Sequence, residues 1–516
     1  MLFSSLEFLY LFLPLTAILY FLSPRGGKNY ILLLSSLLFY GIAKPSLLPL
    51  LLGVCLFDYT AGLIIGGCVL RGHSRRANAL TALTVTANMG VLFAFKYLDP
   101  LLSAVGVQPL GIELPSGISF YTFQALSYVL DVRRRAARAQ KDPLLFVTYV
   151  SLFPQLVAGP IVRYCEVEST LRERSHSIGQ TADGLRLFSV GLAKKVLLAD
   201  GAAECWERLA GLSRNGGSVL GAWLGVIFFA FRIYFDFSGY SDMARGLGLV
   251  FGFEFPVNFN YPYTCRSITD FWRRWHITLS SWFKEYLYIP LGGNRKGRWR
   301  TYFNLLVTWL FTGIWHGAGV NFLLWGLYFF AILVIEKAFL GGLLKRLPPL
   351  LSHGYALILI LVGWLIFASD GTTLTAAEGL VYFGQMLGVA TPLATNDALF
   401  ELLRNLPYLA LMTVASTPLP KAAFHRLARK HPSFSPPPTS QIPPSPLFSI
   451  FSFDPLPAHR IRPPPMGEAN TVTGEYGSLT YRSYFVPHRR GDQWSPVKPN
   501  GENKQNGGEP HSLIKP

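Results

Sequence analysis

Residues 304–335 read NLLVTWLFTGIWHGAGVNFLLWGLYFFAILVI, an apolar run of 32 residues in which His316 is the only acidic or basic side chain. One straight helix of that length would measure about 48 Å, whereas the hydrocarbon core of a bilayer is about 30 Å thick. We therefore predict two helices with a break at the glycines around His316. If the chain enters from Arg300, His316 lies about 18 Å deep, near the middle of the membrane.

This position makes His316 a candidate functional residue. A polar ring in the membrane interior is costly unless it has a partner or a purpose, and ionisable groups there are functional candidates by default. A histidine that packs between helices and hydrogen-bonds a neighbouring carbonyl group would show the same pattern. The sequence alone leaves both interpretations open.

The composition of the whole chain is that of a membrane protein. Of its 516 residues, 51% are hydrophobic and 15% are charged, whereas soluble domains have about 25% charged residues. We predict an all-α, polytopic membrane protein with about ten or eleven transmembrane or re-entrant helices. The five cysteines form no C-x-x-C pair, so we expect buried thiols rather than ligands or disulfides. Other apolar runs lie at residues 2–22, 30–43, 47–70, 77–97, 118–132, 144–162, 219–235, 355–368 and 406–415.

Of the net charge of +17, the part of the chain before residue 419 carries +11, and its basic residues cluster between the apolar runs. Basic residues cluster at 71–76 and at 133–141, whereas the connection at 98–117 has no Lys or Arg. The positive-inside rule therefore places both basic loops on the cytoplasmic side. No recognised nucleic-acid motif accompanies the charge, so we expect a lipid bilayer, and no nucleic acid, among the partners.

A second basic stretch, residues 266–300, contains eight Lys or Arg and four Trp. Such a composition is typical of a segment at the membrane interface, and we assign it to the cytoplasmic face. Its sequence DFWRRWH (270–276) includes His276, for which an interfacial ring without a function is the alternative. Neither His276 nor His316 has a metal-ligand partner at i+3 or i+4, so we predict no metal site.

A third cluster, YFDFSGYSD at 234–242, follows an apolar run and contains Asp236, Ser238, Tyr240 and Asp242. These side chains could orient a buried histidine or line a polar tunnel. Alternatively, a helix ends here and Asp236 or Ser238 caps the next one. The G-x-S-x-G, H-x-x-x-x-D and P-loop signatures of soluble hydrolases, acyltransferases and nucleotide-binding proteins are missing.

The C-terminal segment has a different composition. Residues 431–516 contain 17 of the 36 prolines and little apolar periodicity. Each X-Pro pair interrupts helices, and too little apolar surface remains to offset chain entropy. We predict a disordered, Pro-rich tail, with a Pro-rich binding segment as the alternative.

Five motifs follow one another along the chain: QLVAGP (155–160), YFDFSGYSD (234–242), DFWRRWH (270–276), YLYIPLGG (286–293) and TGIWHG (312–317). In this order they resemble the membrane-bound O-acyltransferase (MBOAT) family, and most closely its bacterial branch that contains the alginate O-acetyltransferase membrane subunit. The resemblance covers roughly residues 1–420, which we take as the acyltransferase domain, with 421–516 as the tail. Members of this branch close with another membrane helix, so the Pro-rich end suggests an altered reading frame or a lineage-specific replacement.

The resemblance implies an enzyme that moves an acyl group, expected to be acetyl, from a cytoplasmic thioester such as acetyl-CoA to hydroxyl groups of an exported polysaccharide such as alginate. It maps the family's intramembrane histidine onto His316 and its second functional histidine onto His276. It further implies the bacterial inner membrane as location, a periplasmic or membrane acetyltransferase as partner, and no tightly bound cofactor. The donor or tunnel candidates are Asp236, Ser238, Tyr240, Asp242, Arg273, Arg274, Trp315 and Asn321.

The implied chemistry agrees with the position of His316. A neutral imidazole with a pKa near 6.5 can accept the hydroxyl proton at pH 7 and accelerate attack on a thioester, and a covalent acyl-histidine route is the alternative. D-Alanyl transfer to teichoic acid and peptidoglycan O-acetylation are the nearest alternative reactions. A polysaccharide or solute transporter and a scaffold for an envelope complex are the alternatives from other classes.

Overall fold

The computed structural model describes residues 1–430, and every regular element among them is helical. The all-α class is therefore confirmed for this part of the chain, whose residues all belong to one compact unit. The predicted disordered tail at 431–516 lies outside the described residues. Short 3₁₀- and π-helical segments adjoin some of the α-helices. The first ten α-helices are α1 (Leu13–Leu22), α2 (Lys28–Ala43), α3 (Leu48–Leu70), α4 (Ser74–Ala104), α5 (Ile118–Arg134), α6 (Pro143–Ser151), α7 (Phe153–Leu156), α8 (Tyr164–Arg172), α9 (Ile178–Ala193) and α10 (Asp200–Arg214).

The second group of helices contains most of the motifs. These α-helices are α11 (Val219–Val250), α12 (Ile268–Trp272), α13 (Ile277–Phe283), α14 (Arg298–His316), α15 (Val320–Ile335), α16 (Gly341–Leu344), α17 (Pro349–Ala368), α18 (Ala376–Met386), α19 (Asn396–Ala415) and α20 (Leu419–Lys430). Helix α20 crosses the predicted boundary at residue 421, so the first ten residues of the predicted tail are helical.

Six helices of the described part are long and apolar enough to cross a membrane. This finding supports the membrane class predicted from composition. A further apolar helix, Phe8–Leu22, is shorter than these six. The six, two of which include the short 3₁₀ or π-helical segments that adjoin α3 and α15, are Pro45–Leu70, Ser74–Ala104, Val219–Val250, Val320–Leu344, Pro349–Ala368 and Asn396–Ala415.

The predicted break in the 304–335 run is confirmed. Helix α14 ends at His316, and α15 begins at Val320 after three residues in extended or bent conformation. The two helices pack closely at two glycines. An added methyl group at Gly313 would overlap the carbonyl group of Phe322, and one at Gly326 would lie 2.5 Å from the Trp309 carbonyl oxygen. The glycines therefore allow the backbone contact that positions His316 at the end of the pair.

Helix α11 corrects two expectations. It continues to Val250, whereas the apolar run suggested an end near residue 235. The cluster at 234–242 lies in the interior of the helix, so the alternative that Asp236 or Ser238 caps a following helix is wrong.

The run at 144–162 is likewise not one helix, because α6 ends at Ser151 and the short α7 ends at Leu156.

Helix α11 packs along α9 through pairs of glycines. A methyl group at Gly191 would lie 2.5 Å from the Gly239 carbonyl oxygen, and one at Gly246 would lie 2.6 Å from the Gly184 carbonyl oxygen. Such close backbone contacts fix the rotation of α11 about its axis. One face of α11 is thereby held against α9, which leaves another face for the cavity described below.

Two observations locate the cavity along α5. Its C-terminal end is basic, and Arg134 Nη1 donates to the Glu285 carbonyl oxygen at 3.1 Å, so the two predicted basic stretches meet at one end. At its N-terminal end, Ser119 lines the same cavity as His316. The cavity therefore lies toward the end of α5 that is remote from these basic residues.

Candidate active site

A cavity of about 280 Å³ lies between α4, α5, α11, α14, α15, α17 and the segment that precedes α13. It brings together the two histidines that the sequence analysis selected from separate motifs. Most of the remaining wall is aromatic. Its lining residues are Lys96, Ser119, Phe120, Ile233, Phe237, Trp275, His276, Trp315, His316, Trp325, Trp364 and Phe367.

His316 is the C-terminal residue of α14 and is surrounded by aromatic rings. Its ring centroid lies 5.0 Å from that of Trp315, 5.1 Å from Trp325 and 5.2 Å from Phe367, each in an edge-to-face arrangement. Within the described residues, no side-chain hydrogen bond involves the imidazole ring of His316. Packing therefore fixes the ring, while its two nitrogens remain available to a ligand.

His276 is buried between α12 and α13, with 2% of its surface exposed. Its backbone is in the left-handed region at φ 43°, which is uncommon for a residue other than glycine. Two backbone hydrogen bonds hold this turn against the preceding loop, from Ile277 N to the Asn258 carbonyl oxygen and from Asn260 N to the Arg274 carbonyl oxygen, each 2.9 Å. The loop therefore determines where His276 points.

Asn258 fixes the orientation of the His276 ring. His276 Nδ1 lies 3.1 Å from Asn258 Oδ1, which also accepts hydrogen bonds from Thr278 N at 3.3 Å and Thr278 Oγ1 at 2.9 Å. The side-chain nitrogen Nδ2 of Asn258 donates a hydrogen bond to Ser241 Oγ at 3.1 Å. Because the oxygen of Asn258 faces these donors, Nδ1 of His276 must carry the proton in the contact.

The consequence is a defined tautomer. A neutral His276 with its proton on Nδ1 has a lone pair on Nε2, which makes Nε2 a hydrogen-bond acceptor. Nε2 is buried and has no hydrogen-bond partner within the described part of the chain. A buried nitrogen without a partner is costly, so a donor group of a ligand is the partner that this arrangement suits.

Glu336 fixes α12, the short helix that leads to His276. Its carboxylate accepts hydrogen bonds from Ile268 N at 2.7 Å, Thr269 N at 2.8 Å and Thr269 Oγ1 at 2.6 Å. The hydroxyl group of Tyr355 donates to the same carboxylate at 3.2 Å. A carboxylate at a helix N-terminus satisfies free backbone N–H groups, so Glu336 ties the DFWRRWH motif to the bundle.

Lys96 is a cavity residue that the sequence analysis missed. Its ammonium group donates to the carbonyl oxygen of Trp315, one residue before His316, and lies 5.6 Å from the centroid of the Trp315 ring. The hydroxyl group of the neighbouring Tyr97 donates to the Ile314 carbonyl oxygen. The signal was present in the sequence, since Lys96 is a charged residue inside the apolar run at 77–97, where the rule that selected His316 also applies.

The structure places the four polar candidates of the 234–242 cluster away from the cavity wall. Asp236 forms an ion pair with Lys195 at 2.8 Å, and Asp242 forms one with Lys194 at 2.6 Å. Successive residues of a helix are rotated by about 100°, so these carboxylates and the cavity-lining Phe237 lie on different faces of α11.

The other two polar residues of this cluster are buried in the bundle. Ser238 Oγ has no hydrogen-bond partner among the described residues, and the ring of Tyr240 stacks on Phe3 with centroids 4.7 Å apart. Neither residue lines the cavity. A part for any member of the cluster in donor binding stays a prediction.

The remaining candidates differ in their positions. Trp315 lines the cavity, whereas Arg274 forms an ion pair with Asp270 at 2.9 Å and Arg273 is exposed. Asn321 Nδ2 donates to the Phe367 carbonyl oxygen at 3.2 Å, which braces α15 against the end of α17. Its contact is thus with the backbone of Phe367, whose ring packs against His316, and a part for Asn321 in donor binding stays a prediction.

The part of the chain that matches a known protein family contains the whole cavity. The model of the membrane-bound O-acyltransferase family matches residues 37–368, a range that includes every lining residue of the cavity. The chain belongs to the membrane-bound O-acyltransferase family. Its members are acyltransferases, and this chain is accordingly a membrane-bound acyltransferase.

The relatives within the family act on different polymers, according to their names. The chain is 42% identical over 381 residues to the "probable alginate O-acetylase AlgI" of Azotobacter vinelandii, covering 72% of this chain and 75% of that protein. It is 34% identical over 432 residues to the peptidoglycan O-acetyltransferase of Helicobacter pylori, covering 74% and 80%. Identity to the teichoic acid D-alanyltransferase of Bacillus subtilis is 26% over 326 residues, covering 60% and 81%.

Proposed function

We propose that this membrane-bound O-acyltransferase transfers an acetyl group from a thioester donor to hydroxyl groups of an exported polysaccharide of the alginate type. The observation that carries the proposal is the shared cavity of His316 and His276. The acceptor class rests on the relatives, since identity is 42% and 41% to two alginate O-acetylases but 34% to the peptidoglycan enzyme. Peptidoglycan O-acetylation and D-alanyl transfer are the acceptor classes that the experiment must separate.

In the proposed reaction, His316 acts as general base. A hydroxyl group becomes an adequate nucleophile when a base removes its proton during attack, which contributes about 10²–10⁴-fold to the rate. The aromatic rings hold His316 and leave its nitrogens open, so a ring nitrogen can take this proton. Nε2 of His276 accepts a hydrogen bond from a donor group of the substrate and thereby positions it.

Acetyl-CoA is the proposed donor, used as a substrate rather than as a tightly bound cofactor. Its phosphates would be held at the cytoplasmic mouth by the basic stretch at 266–300, which includes Arg273 and Arg274. The acceptor would be presented on the opposite side of the bacterial inner membrane with a periplasmic or membrane acetyltransferase as partner. The six long apolar helices, with shorter ones such as Phe8–Leu22, would form a bundle of about ten or eleven transmembrane or re-entrant helices.

The test is transfer of a labelled acetyl group by detergent-purified protein. Acetyl-CoA is the donor, and de-acetylated alginate oligomers, peptidoglycan fragments and teichoic acid are compared as acceptors. We expect transfer to alginate by the wild type, loss of transfer in His316→Ala, and normal transfer in His73→Ala, which alters an exposed histidine. Equal turnover in wild type and His316→Ala would refute the assigned role, and a preference for another acceptor would change the acceptor class.

A further inference from the structure

The wall of the proposed catalytic cavity contains one lysine, Lys96. Of its twelve described lining residues, eight are aromatic or aliphatic, and Lys96 is the only one besides the two histidines that can be cationic. No acidic residue of the described chain forms an ion pair with Lys96. A lone ammonium group in an apolar wall is unfavourable in the free protein, and an anionic partner in the cavity would offset that cost.

Lys96 is held close to the reacting groups. Its ammonium group binds the carbonyl oxygen of Trp315, at the negative end of the α14 dipole, and the next residue is His316. An ammonium group has three N–H donors, and one of them serves this carbonyl group. The other two N–H donors of Lys96 are not used by this carbonyl group, and Lys96 lines the same cavity as His316, the proposed base.

We propose that Lys96 is a catalytic residue whose ammonium group stabilises the oxyanion formed on the thioester carbonyl during acyl transfer. The inference rests on the proposed function, because the oxyanion exists only if a thioester is attacked in this cavity. Donors that are oriented before the reaction stabilise developing charge most strongly in a site from which water is excluded. The hydrogen bond to Trp315 holds Lys96 in position, and the aromatic wall makes its surroundings largely apolar.

The charges balance through the step. The acceptor oxygen forms a bond to the carbonyl carbon, its proton passes to His316, and the carbonyl π electrons move to the oxygen that faces Lys96. When the intermediate collapses, the carbonyl double bond re-forms and the carbon–sulfur bond breaks. The thiolate then takes the proton from His316, which returns the imidazole and Lys96 to their starting states.

Two alternative roles of Lys96 lead to different kinetics. The first is a purely structural cap of α14, for which Tyr97 is a matched control, since it donates to the adjacent Ile314 carbonyl group and does not line the cavity. The second is recognition of an acceptor carboxylate, such as that of a uronic acid. Recognition would change the KM for the acceptor, whereas oxyanion stabilisation changes kcat.

The experiment compares Lys96→Gln, Lys96→Arg and Tyr97→Phe with wild type and His316→Ala, using full-length protein, acetyl-CoA and de-acetylated alginate oligomers. Gln keeps a donor for the Trp315 carbonyl group but removes the charge, and Arg keeps the charge. We expect Lys96→Gln to lower kcat by about 10²–10³-fold with the acceptor KM changed by less than about twofold. Lys96→Arg should recover at least about tenfold of this loss, and Tyr97→Phe should stay within about threefold of wild type.

Three results would overturn the proposal. They are an unchanged kcat in Lys96→Gln, a raised acceptor KM at constant kcat, and equal losses in Lys96→Gln and Tyr97→Phe with equal falls in thermal stability. Wild-type protein without His316-dependent turnover would instead overturn the proposed function, and this inference with it. A folded Lys96→Gln that keeps the wild-type melting temperature but loses kcat supports the oxyanion role.

Discussion

The two histidines of the cavity are held in opposite ways. His276 is fixed by a hydrogen bond to Asn258, which is itself bonded to Thr278 and Ser241, and its backbone is left-handed. His316 has no such hydrogen bond among the described residues, and aromatic rings surround it.

The difference supports the proposed division of roles. A hydrogen-bonded imidazole has a fixed tautomer, so His276 offers Nε2 alone as an acceptor nitrogen. A ring that is held only by packing keeps both of its nitrogens available to the substrate. We therefore propose His316 as the general base and His276 as the residue that positions the substrate.

The largest expected effect tests this division of roles. His316→Gln should lower kcat by about 10²–10⁴-fold, because it removes the base, whereas His276→Gln should cost about 10-fold, because it removes a positioning contact. Initial rates of acetyl transfer at matched folded-protein concentrations measure both losses. A larger loss in His276→Gln than in His316→Gln would reverse the assignment.

The next effect concerns the network around His276. Asn258→Leu should lower kcat by about 10-fold, because Nδ1 loses its acceptor and the ring loses its fixed tautomer. Ser241→Ala is the control, since it removes the far end of the network and leaves the Asn258 to His276 bond intact. If the two variants have the same kcat, the network does not act through His276.

A stability change tests the packing that positions His316. Gly313→Ala should destabilise the protein by about 1–3 kcal/mol, because the added methyl group overlaps the Phe322 carbonyl group on α15. Gly354→Ala on α17 has open space around it and should be neutral or slightly stabilising. Thermal unfolding in detergent distinguishes the two, and equal melting temperatures would contradict the close α14–α15 contact.

The smallest effect comes from a histidine outside the cavity. Burial, with the neighbouring cations Lys28 and Arg174, lowers the pKa of His176 to about 4. A lowered pKa means that the unfolded chain binds the proton more tightly, so stability is complete above about pH 6.5 and falls as the pH drops toward 4. Unfolding temperatures between pH 7.5 and pH 5 should fall less in His176→Gln than in wild type, and identical pH profiles would contradict this.

The sequence predicted the helical membrane class and the break at His316 because both follow from run length and apolar content. It did not predict that α11 continues through 234–242. In the sequence, polar residues that pair with a neighbouring helix have the same pattern as polar residues at a helix end. Lys194 and Lys195 provide those partners only because glycines bring α9 against α11.

The residues of the candidate site also differ in how far the sequence alone could predict them. His316 could be selected from its position alone, whereas its association with His276 was implied only by the resemblance. Asn258 and the turn at His276 depend on contacts between a loop and a motif about 18 residues away, which no local pattern encodes. Lys96 could have been found, because a charge inside an apolar run is itself a signal.

The most direct test of a shared catalytic site is a double-mutant cycle on the two histidines. Acetyl transfer is measured for His316→Gln, His276→Gln and the double variant, with the uncatalysed rate as baseline and thermal stability as the folding control. If both residues act on one substrate in one cavity, their effects are strongly non-additive, and the double variant should be within about threefold of the slower single variant. Losses that multiply would show two independent contributions and contradict a shared catalytic site.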